Sequence, residues 1–352
     1  MDTTTRVKEA ITAFRNGEML IVMDDEDREN EGDLVLAGIF STPEKINFMA
    51  KYARGLICVC ITQEISKQLD LPPMVAKNDS NHETAFTISI DAKEAKTGIS
   101  AFERNMTIQL MCDEKSTPSD FVRPGHIFPL IAKEGGVLVR TGHTEAGIDL
   151  CRLSGLKPVS VICEIMKEDG TMAGRGDKFL LDFAKKHQIK ILYISDLIAY
   201  RIQNENLLQC TQNQEIYFLS HLVKKQTFVD HLNQEHIVLE FKKAKIPLVR
   251  FETLKNDLDR FSDTAGYHYF LNCVQKLYKE GGYLIFLQNN QLKNQVVKDF
   301  GIGAQILRRL GVDQFRLISS SDREYNGLGG FGLTITQRVE LESNEKEKLE
   351  KN

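Results

Sequence analysis

The feature that most constrains this chain is an acidic run at residues 24–33, which reads Asp-Asp-Glu-Asp-Arg-Glu-Asn-Glu-Gly-Asp. Seven of its ten residues are acids and one is an arginine. The run follows the apolar segment 19–23, Met-Leu-Ile-Val-Met, which predicts a buried strand. Carboxylates that a core strand brings into one loop repel one another unless a cation or an arginine neutralises them. The run therefore predicts a metal and substrate site, although composition alone fits a solvated acidic turn equally well.

Length and composition limit the class of protein. The 352 residues suffice for two domains, and 42% hydrophobic with 27% charged residues is typical of a globular protein. A formal net charge of -4 argues against a general nucleic-acid-binding function. We find no stretch of about 20 apolar residues and no signal-peptide pattern, so we expect no membrane association. The seven cysteines form neither a disulfide nor a zinc pattern, and a cytoplasmic location is expected.

Hydrophobic patterning predicts helices and strands in both halves, hence an α+β fold of two mixed domains. The predicted strands of the first half include 56–61, 85–90, 159–165 and 190–194, and Thr144 is predicted to cap a helix that ends at 154. Residues 203–214 are rich in Asn and Gln and poor in apolar side chains. We therefore place the domains at residues 1–203 and 204–341, followed by a polar tail at 342–352. The second domain is predicted to begin with strands at 216–219, 227–232, 237–241 and 248–251.

Two single residues stand in unusual surroundings. His126 lies between two prolines and a glycine in the segment 123–129, which would hold its position. Glu164 lies in the apolar segment 161–165, where burial raises a carboxyl pKa and suits it to proton transfer. Each has an ordinary alternative, namely a structural histidine in a turn and a strand-end glutamate in a salt bridge.

The segment Arg140-Thr141-Gly142-His143-Thr144 lies where a strand ends and a helix begins. Backbone N–H groups of a glycine-containing turn at a helix N-terminus bind anions. The alternative is a plain helix cap with a surface histidine. With the acidic run, the segment indicates oxygen-rich metal ligands, which suit magnesium or manganese better than structural zinc. The residues by themselves point to metal-dependent chemistry on a sugar phosphate.

These segments closely resemble 3,4-dihydroxy-2-butanone 4-phosphate synthase over about residues 5–200. The resemblance rests on 24–33, 58–61, 68–72, 123–129, 135–149 and Glu164. It implies an enzyme of riboflavin biosynthesis that converts D-ribulose 5-phosphate to 3,4-dihydroxy-2-butanone 4-phosphate and formate. It also implies two Mg²⁺ (or Mn²⁺) ions per site, no zinc, and a homodimer with sites near the dimer interface.

The resemblance also implies roles for individual residues. Glu29 and His143 are the implied metal ligands, and His126 and Glu164 are the implied catalytic residues. The implied substrate contacts are Arg28, Glu29, Asp33, Arg140, Thr141, Gly142, His143, Thr144 and Glu164.

The C-terminal half resembles GTP cyclohydrolase II, chiefly at residues 303–311 and 332–335. That family holds zinc with three cysteines, but no cysteine occurs here between Cys210 and Cys273. The family's Arg-Gln-Glu-Gly-Arg-Gly segment is also missing. Without a zinc-activated water the ring opening of GTP lacks a nucleophile, so we expect this half to keep the fold and to lack the activity. The alternatives are a bifunctional enzyme and an assembly or nucleotide-sensing module.

Overall fold

The computed structural model describes residues 3–26, 28–231, 233–254, 256–288, 296–319 and 333–341. The chain divides into two compact units, Met1–Tyr200 and Arg201–Asn352. Each unit is built on a seven-stranded mixed sheet with helices, which confirms the predicted α+β class. The predicted tail at 342–352 lies outside the described residues. The boundary predicted between 203 and 204 stays a prediction.

The first unit has the strand order β4-β5-β3-β6-β2-β1-β7. Its strands are β1 (Leu20–Met23), β2 (Gly32–Ala37), β3 (Cys58–Ile61), β4 (Ile90–Ala92), β5 (Phe121–Ile131), β6 (Val159–Glu164) and β7 (Lys190–Tyr193). Its helices are α1 (Thr3–Arg15), α2 (Pro43–Phe48), α3 (Gln63–Gln68), α4 (Ala101–Cys112), α5 (His143–Leu153) and α6 (Lys178–His187). A further helix, α7 (Ile194–Asn204), ends beyond the division between the units.

Helix starts in the first unit follow capping chemistry. Ser100 accepts a hydrogen bond from the backbone N–H of Glu103 and caps α4, as predicted. The predicted cap at Thr144 is wrong, because Gly142 is the N-cap of α5 and Thr144 lies buried inside the first turn. The strand predicted at 85–90 is also largely wrong: only Ile90 belongs to β4, and Phe86 and Thr87 form isolated bridges.

Strand pairing brings distant polar residues to one end of this sheet. The strand β2 lies between β1 and β6 and runs antiparallel to both. In this register Asp33 lies opposite Val22 on one side and opposite Glu164 on the other. Because residues opposite each other point to the same face of a sheet, Asp33 and Glu164 share a face.

The second unit has the strand order β14-β13-β11-β12-β10-β9-β8 among its described strands. They are β8 (Leu208–Phe218), β9 (His221–Asp230), β10 (Glu235–Glu240), β11 (Leu248–Thr253), β12 (Gly282–Leu287), β13 (Gln314–Ile318) and β14 (Thr334–Val339). Its further helices are α8 (Asp257–Ser262), α9 (Thr264–Glu280) and α10 (Val296–Arg309). None of the described helices of either unit is long and apolar enough to span a membrane.

The polar segment 203–214, whose composition placed the predicted domain boundary, is part of regular structure. The helix α7 includes its first residues, and β8 begins at Leu208. Residues 209–215 are exposed because β8 is the edge strand of the sheet. An edge strand that buries little surface shows no hydrophobic alternation, so the sequence predicted only the end of β8, as the strand 216–219.

Candidate active site

The acidic run wraps around one buried carboxylate, Asp24, directly after β1. Its oxygens accept hydrogen bonds from Arg28 Nη1 at 2.9 Å, from the backbone N–H of Glu29 at 3.1 Å and from that of Glu31 at 2.8 Å. Asp24 therefore organises the loop, a role that the sequence did not reveal. The available signal was its position as the first acid after a buried strand, since Asp side chains often bond to nearby backbone N–H groups.

Glu29 and His143 come together although 114 positions separate them in the sequence. His143 is the first residue of α5, and its Nδ1 lies 3.9 Å from Glu29 Oε2. One ligand atom each from Asp24, Glu29 and His143 lie within 4.8 Å of one another. Because Asp24 already accepts three hydrogen bonds, Glu29 and His143 are the better pair of ligands for a cation.

The surroundings of His143 favour the neutral imidazole. Burial is the main cause that lowers its pKa from 6.5, and the charge of Arg28 lowers it further, against the opposing effects of Asp24 and Glu29. Its Nε2 lies 3.2 Å from the carbonyl oxygen of Val22, which can accept a hydrogen bond but cannot donate one. That contact places the proton on Nε2 and leaves the lone pair of Nδ1 toward Glu29, as a metal ligand requires.

Asp33 is a buried carboxyl group without a full set of partners. Its Oδ1 has no hydrogen-bond partner within the described residues and lies 3.7 Å from His143 Nε2. Burial raises the pKa of Asp33 well above its usual value, and the charges of Glu164 and Glu31 raise it further. An uncompensated carboxyl group at this depth is costly, so the site suits a cation or a substrate hydroxyl group.

Glu31 was left without a role in the sequence, but the structure places it in the same cluster. Burial, together with the charges of Glu29 and Glu164, raises its pKa to about 7. The signal that would have found it is alternation: Glu29, Glu31 and Asp33 are spaced by two residues as the loop enters β2.

Glu164 ends β6 in a half-buried position. Its Oε2 accepts a hydrogen bond of 2.8 Å from the backbone N–H of Leu56, and burial is the main cause that raises its pKa. Gly55 allows this approach, since a Cβ atom at that position would lie 2.5 Å from Glu164 Oε2. Among the described residues Glu164 forms no salt bridge, so the alternative of a paired glutamate at the rim finds no support.

The guanidinium of Arg140 is already bonded within the protein, so it is not a free donor for an anion. Arg140 Nη1 contacts Glu145 Oε2 at 2.6 Å, and its other donors reach the carbonyl of His82 and the hydroxyl of Thr84. The arginine therefore ties the start of α5 to the loop at 82–84. Gly142 caps the helix, so backbone N–H groups of its first turn remain the donors for an anion.

His126 is held by a residue that the sequence did not identify, Asp91. Its Nδ1 lies 2.7 Å from Asp91 Oδ2, and its backbone N–H donates to Asp91 Oδ1 at 2.8 Å. His126 lies on β5 and Glu164 on β6, and β3 lies between these two strands, so the strands that carry them are roughly 10 Å apart. No described hydrogen bond or ion pair joins His126 to the acidic cluster.

Each half of the chain matches the protein family that its sequence resembles. The family described as 3,4-dihydroxy-2-butanone 4-phosphate synthase matches residues 8–200. The family described as GTP cyclohydrolase II matches residues 288–340.

Individual relatives match most of the chain. A protein of Helicobacter pylori (strain ATCC 700392 / 26695) named 3,4-dihydroxy-2-butanone 4-phosphate synthase is 63% identical over 341 residues, which cover 96% of this chain and 99% of the relative. The crystal structure of RibBX, described as a two-domain synthase of this kind from A. baumannii, aligns with a TM-score of 0.81 at 40% identity and covers 95% of this chain and 99% of that one. A synthase structure in complex with two magnesium ions has a TM-score of 0.52 at 42% identity and covers 56% of this chain and 97% of that one.

Proposed function

The chain belongs to the 3,4-dihydroxy-2-butanone 4-phosphate synthase family of riboflavin biosynthesis, and we propose that its site converts D-ribulose 5-phosphate to 3,4-dihydroxy-2-butanone 4-phosphate and formate with Mg²⁺. The observation that carries this proposal is the meeting of Glu29 and His143 beside two buried carboxyl groups, Asp33 and Glu164, at one end of a sheet. Together they offer metal ligands and a proton-transfer group in one place.

The residues present fit a divalent cation. Glu29 supplies a carboxylate oxygen and His143 a neutral nitrogen, and we propose that these two residues are the protein ligands of the metal. We further propose that each site holds two ions, Mg²⁺ or Mn²⁺. The proposed number of metal ions follows the related synthase structure that was solved with two magnesium ions. When bound, the metal polarises neighbouring substrate oxygens and offsets the repulsion among the carboxylates.

The remaining side chains act on the substrate directly. We assign proton transfer to Glu164, whose half-buried carboxyl has a raised pKa. Asp33 is assigned to a substrate hydroxyl group, because its Oδ1 faces His143 without a hydrogen bond. Arg28 lies against Asp24 and Glu29 and brings a guanidinium to the substrate.

The phosphate is assigned to the start of α5. The backbone of Thr141, Gly142 and His143 and the hydroxyl of Thr144 form its first turn. Arg140 contributes by holding that turn in place, since Glu145 and the loop at 82–84 occupy its donors, and it reaches the phosphate only by exchanging one of these partners.

His126 is assigned to proton transfer or to orientation of the substrate. The contact of Asp91 with Nδ1 favours the tautomer whose Nε2 is free to accept a proton. Because the described contacts leave His126 apart from the acidic cluster, its role depends on the arrangement of the proposed homodimer. Sedimentation analysis of the purified protein tests that assembly, and a monomer at micromolar concentration would contradict it.

The decisive experiment is formate release from D-ribulose 5-phosphate in the presence of Mg²⁺. The variants Glu29→Gln and His143→Asn should lose turnover by two or more orders of magnitude. Glu26→Gln is the matched control, since Glu26 is exposed in the same loop. Unchanged turnover in both ligand variants would overturn the site assignment.

We propose that the second unit lacks GTP cyclohydrolase II activity. The support is that no cysteine occurs between Cys210 and Cys273, an interval that includes 248–266, the stretch corresponding to the zinc cysteines of that family. The match at 288–340 favours the alternative of a bifunctional enzyme. Stoichiometric zinc in the purified protein, together with consumption of GTP, would establish that alternative. We also expect the enzyme to work in the cytoplasm.

A further inference from the structure

A turn between β6 and α6 brings the chain back to the end of the first unit's sheet. The backbone N–H of Lys167 donates to the carbonyl of Thr171 at 2.7 Å, and Met172 forms an isolated antiparallel bridge with Met166. The segment 173–175 follows this turn directly. None of the roles proposed for the active site involves this segment.

Three backbone hydrogen bonds form a closed ring where this segment meets the sheet. The N–H of Gly32 donates to the carbonyl of Ala173 at 3.0 Å, that of Ala173 to Ile165 at 3.0 Å, and that of Ile165 to Gly32 at 2.8 Å. Gly32 is adjacent to Asp33 in the sequence, and Ile165 is adjacent to Glu164. The ring therefore orders the backbone beside both buried carboxyl groups of the site.

The segment also contacts Asn30, the residue that follows Glu29 in the acidic run. The side-chain Oδ1 of Asn30 accepts a hydrogen bond of 2.9 Å from the backbone N–H of Arg175. Asn30 has a left-handed backbone with φ of 54°, which asparagine adopts more readily than most residues. Gly174 allows the close approach, since a Cβ atom there would lie 2.9 Å from Asn30 Nδ2. The hydrogen bond therefore fixes the acidic run directly after the proposed metal ligand.

The side chain of Arg175 extends to the beginning of the acidic run. Its Nη1 lies 3.6 Å from Asp25 Oδ1, and its guanidinium carbon lies 4.6 Å from the centre of the Tyr193 ring. Tyr193 ends β7 and pairs with Met23, the last residue before the acidic run. A guanidinium over an aromatic ring and beside a carboxylate is held by both contacts. The segment 173–175 therefore contacts the acidic run near both of its ends.

We propose that Asn30 and Arg175 are positioning residues, which hold the acidic run on the segment 173–175 and so keep Glu29 in place for the metal. The inference rests on the proposed function, because it concerns the residues around a proposed metal ligand. No described hydrogen bond or ion pair joins either side chain to Glu29 or His143, so both act on the metal through the acidic run. Because the carboxylates of the run repel one another, without this support they would spread apart and move Glu29 away from His143.

The charge of Arg175 by itself has the opposite effect on the metal. A cation close to the acidic run repels Mg²⁺, so loss of the charge alone would strengthen metal binding. Loss of positioning weakens metal binding instead, and removal of residues that hold a metal ligand typically costs roughly 10–100-fold in metal affinity. The direction of the change in an Arg175 variant therefore separates positioning from simple electrostatics.

Calorimetric titration of the full chain with Mg²⁺, without substrate, tests the proposal. Asn30→Gly allows the left-handed backbone and removes the acceptor, so it should weaken Mg²⁺ binding about tenfold. Asn233→Gly is the matched control, because Asn233 is also left-handed, with φ of 59°, but belongs to the second unit. Arg175→Met should weaken binding as well, whereas Lys178→Met, which removes an exposed cation three residues later, should not.

Two further measurements separate positioning from catalysis and from folding. In formate release, Asn30→Gly and Arg175→Met should raise the Mg²⁺ concentration needed for half-maximal rate and change kcat at saturating Mg²⁺ much less. In the metal-free protein, amide hydrogen exchange should become faster in both variants within 24–33 and 171–177. Faster exchange throughout the first unit would show that the two side chains support the whole fold, which would contradict a positioning role.

The titration also distinguishes failure of this inference from failure of the proposed function. If the wild type binds Mg²⁺ and Glu29→Gln does not, but Asn30→Gly and Arg175→Met bind as the wild type does, the inference is overturned and the proposed function stands. If the wild type binds no Mg²⁺, the proposed function fails and the inference fails with it.

Discussion

The two units are built on similar mixed sheets but differ in how they hold buried charge. In the second unit charges are paired: Arg250 contacts Glu252 at 2.8 Å, and Arg316 contacts Glu280 at 2.8 Å. The first unit also pairs some of its charges, such as Arg140 with Glu145, but at one end of its sheet five carboxylates crowd around one arginine and one histidine. These carboxylates are Asp24, Glu29, Glu31, Asp33 and Glu164.

This difference separates a scaffold from a reactive site. A buried charge that is paired within the fold is compensated by its partner and contributes to stability or to structural specificity. The mutual repulsion of the first unit's carboxylates is visible in Asp33, whose pKa rises under the charges of Glu164 and Glu31 in addition to burial. A proton, a cation or a substrate group relieves that repulsion, which makes the acidic end of the first sheet the candidate for the chemistry.

The largest effect is expected from Glu164→Gln. The change keeps the size of the side chain and removes proton transfer, so formate release should fall by about 10²–10⁴-fold. Glu168→Gln serves as the control, because Glu168 follows closely in the sequence and is exposed. Equal turnover of the two variants would contradict the assignment of proton transfer to Glu164.

Binding of Mg²⁺ gives the next largest effect, and it distinguishes the units without a measurement of activity. At an Mg²⁺ concentration of 100 times its dissociation constant, the ion should stabilise the first unit by about 2.7 kcal/mol. Differential scanning calorimetry with Mg²⁺ and with EDTA measures this, and Glu29→Gln should abolish the shift. A shift of the same size in the variant would place the metal elsewhere.

Neutralising one buried aspartate in each unit should have opposite effects on stability. Without metal, Asp33→Asn relieves repulsion and should raise the melting temperature. In Asp230→Asn the new amide N–H₂ would face the N–H of His236, so that a hydrogen bond is lost between two donors. This variant should lower the free energy of unfolding by about 1–3 kcal/mol. Shifts of the same sign in both variants would show that the two units do not differ in this respect.

The smallest effect concerns Glu103, a half-buried residue of the first unit whose carboxylate accepts several hydrogen bonds. It accepts hydrogen bonds from the backbone N–H of Lys96 and from the hydroxyl groups of Thr97 and Ser100, and these bonds lower its pKa from 4.5 to about 2. A lowered pKa means that its contribution to stability is present above pH 4.5 and disappears as the pH falls toward 2. The melting temperatures of the wild type and Glu103→Gln should therefore converge over that range.

The exposed neighbour Glu94 supplies the control for that pH series. Glu94→Gln should follow the wild type at every pH, since its side chain lies in solvent. A gap between the wild type and Glu103→Gln that persists at pH 2 would show that the charge of Glu103 is not the cause.

Several features were predictable from residue type and order. The acidic run, the apolar segment before it and the apolar surroundings of Glu164 made these residues candidates for the site, because buried carboxyl groups are unusual in any fold. The capping residue Ser100 was predictable for a similar reason, since capping is a local interaction.

Other features depended on contacts between distant segments. Asp24, Glu31 and Asp91 are ordinary acids in the sequence, and only their neighbours in space separate a loop organiser, a crowded carboxyl and a partner of His126. Only the end of β8 was predicted, as the strand 216–219, because the polar, exposed residues before it at the sheet edge lack the pattern that identifies a strand.

The sequence by itself determined which chemistry this protein can perform, since the supply of carboxylates, histidines and arginines and the lack of zinc cysteines are matters of composition and spacing. The tertiary structure decided which of those groups meet. Antiparallel pairing placed Asp33 opposite Glu164, and the start of α5 brought His143 to Glu29. The physical reason is that desolvation and charge repulsion depend on distance and burial, which the order of residues does not specify.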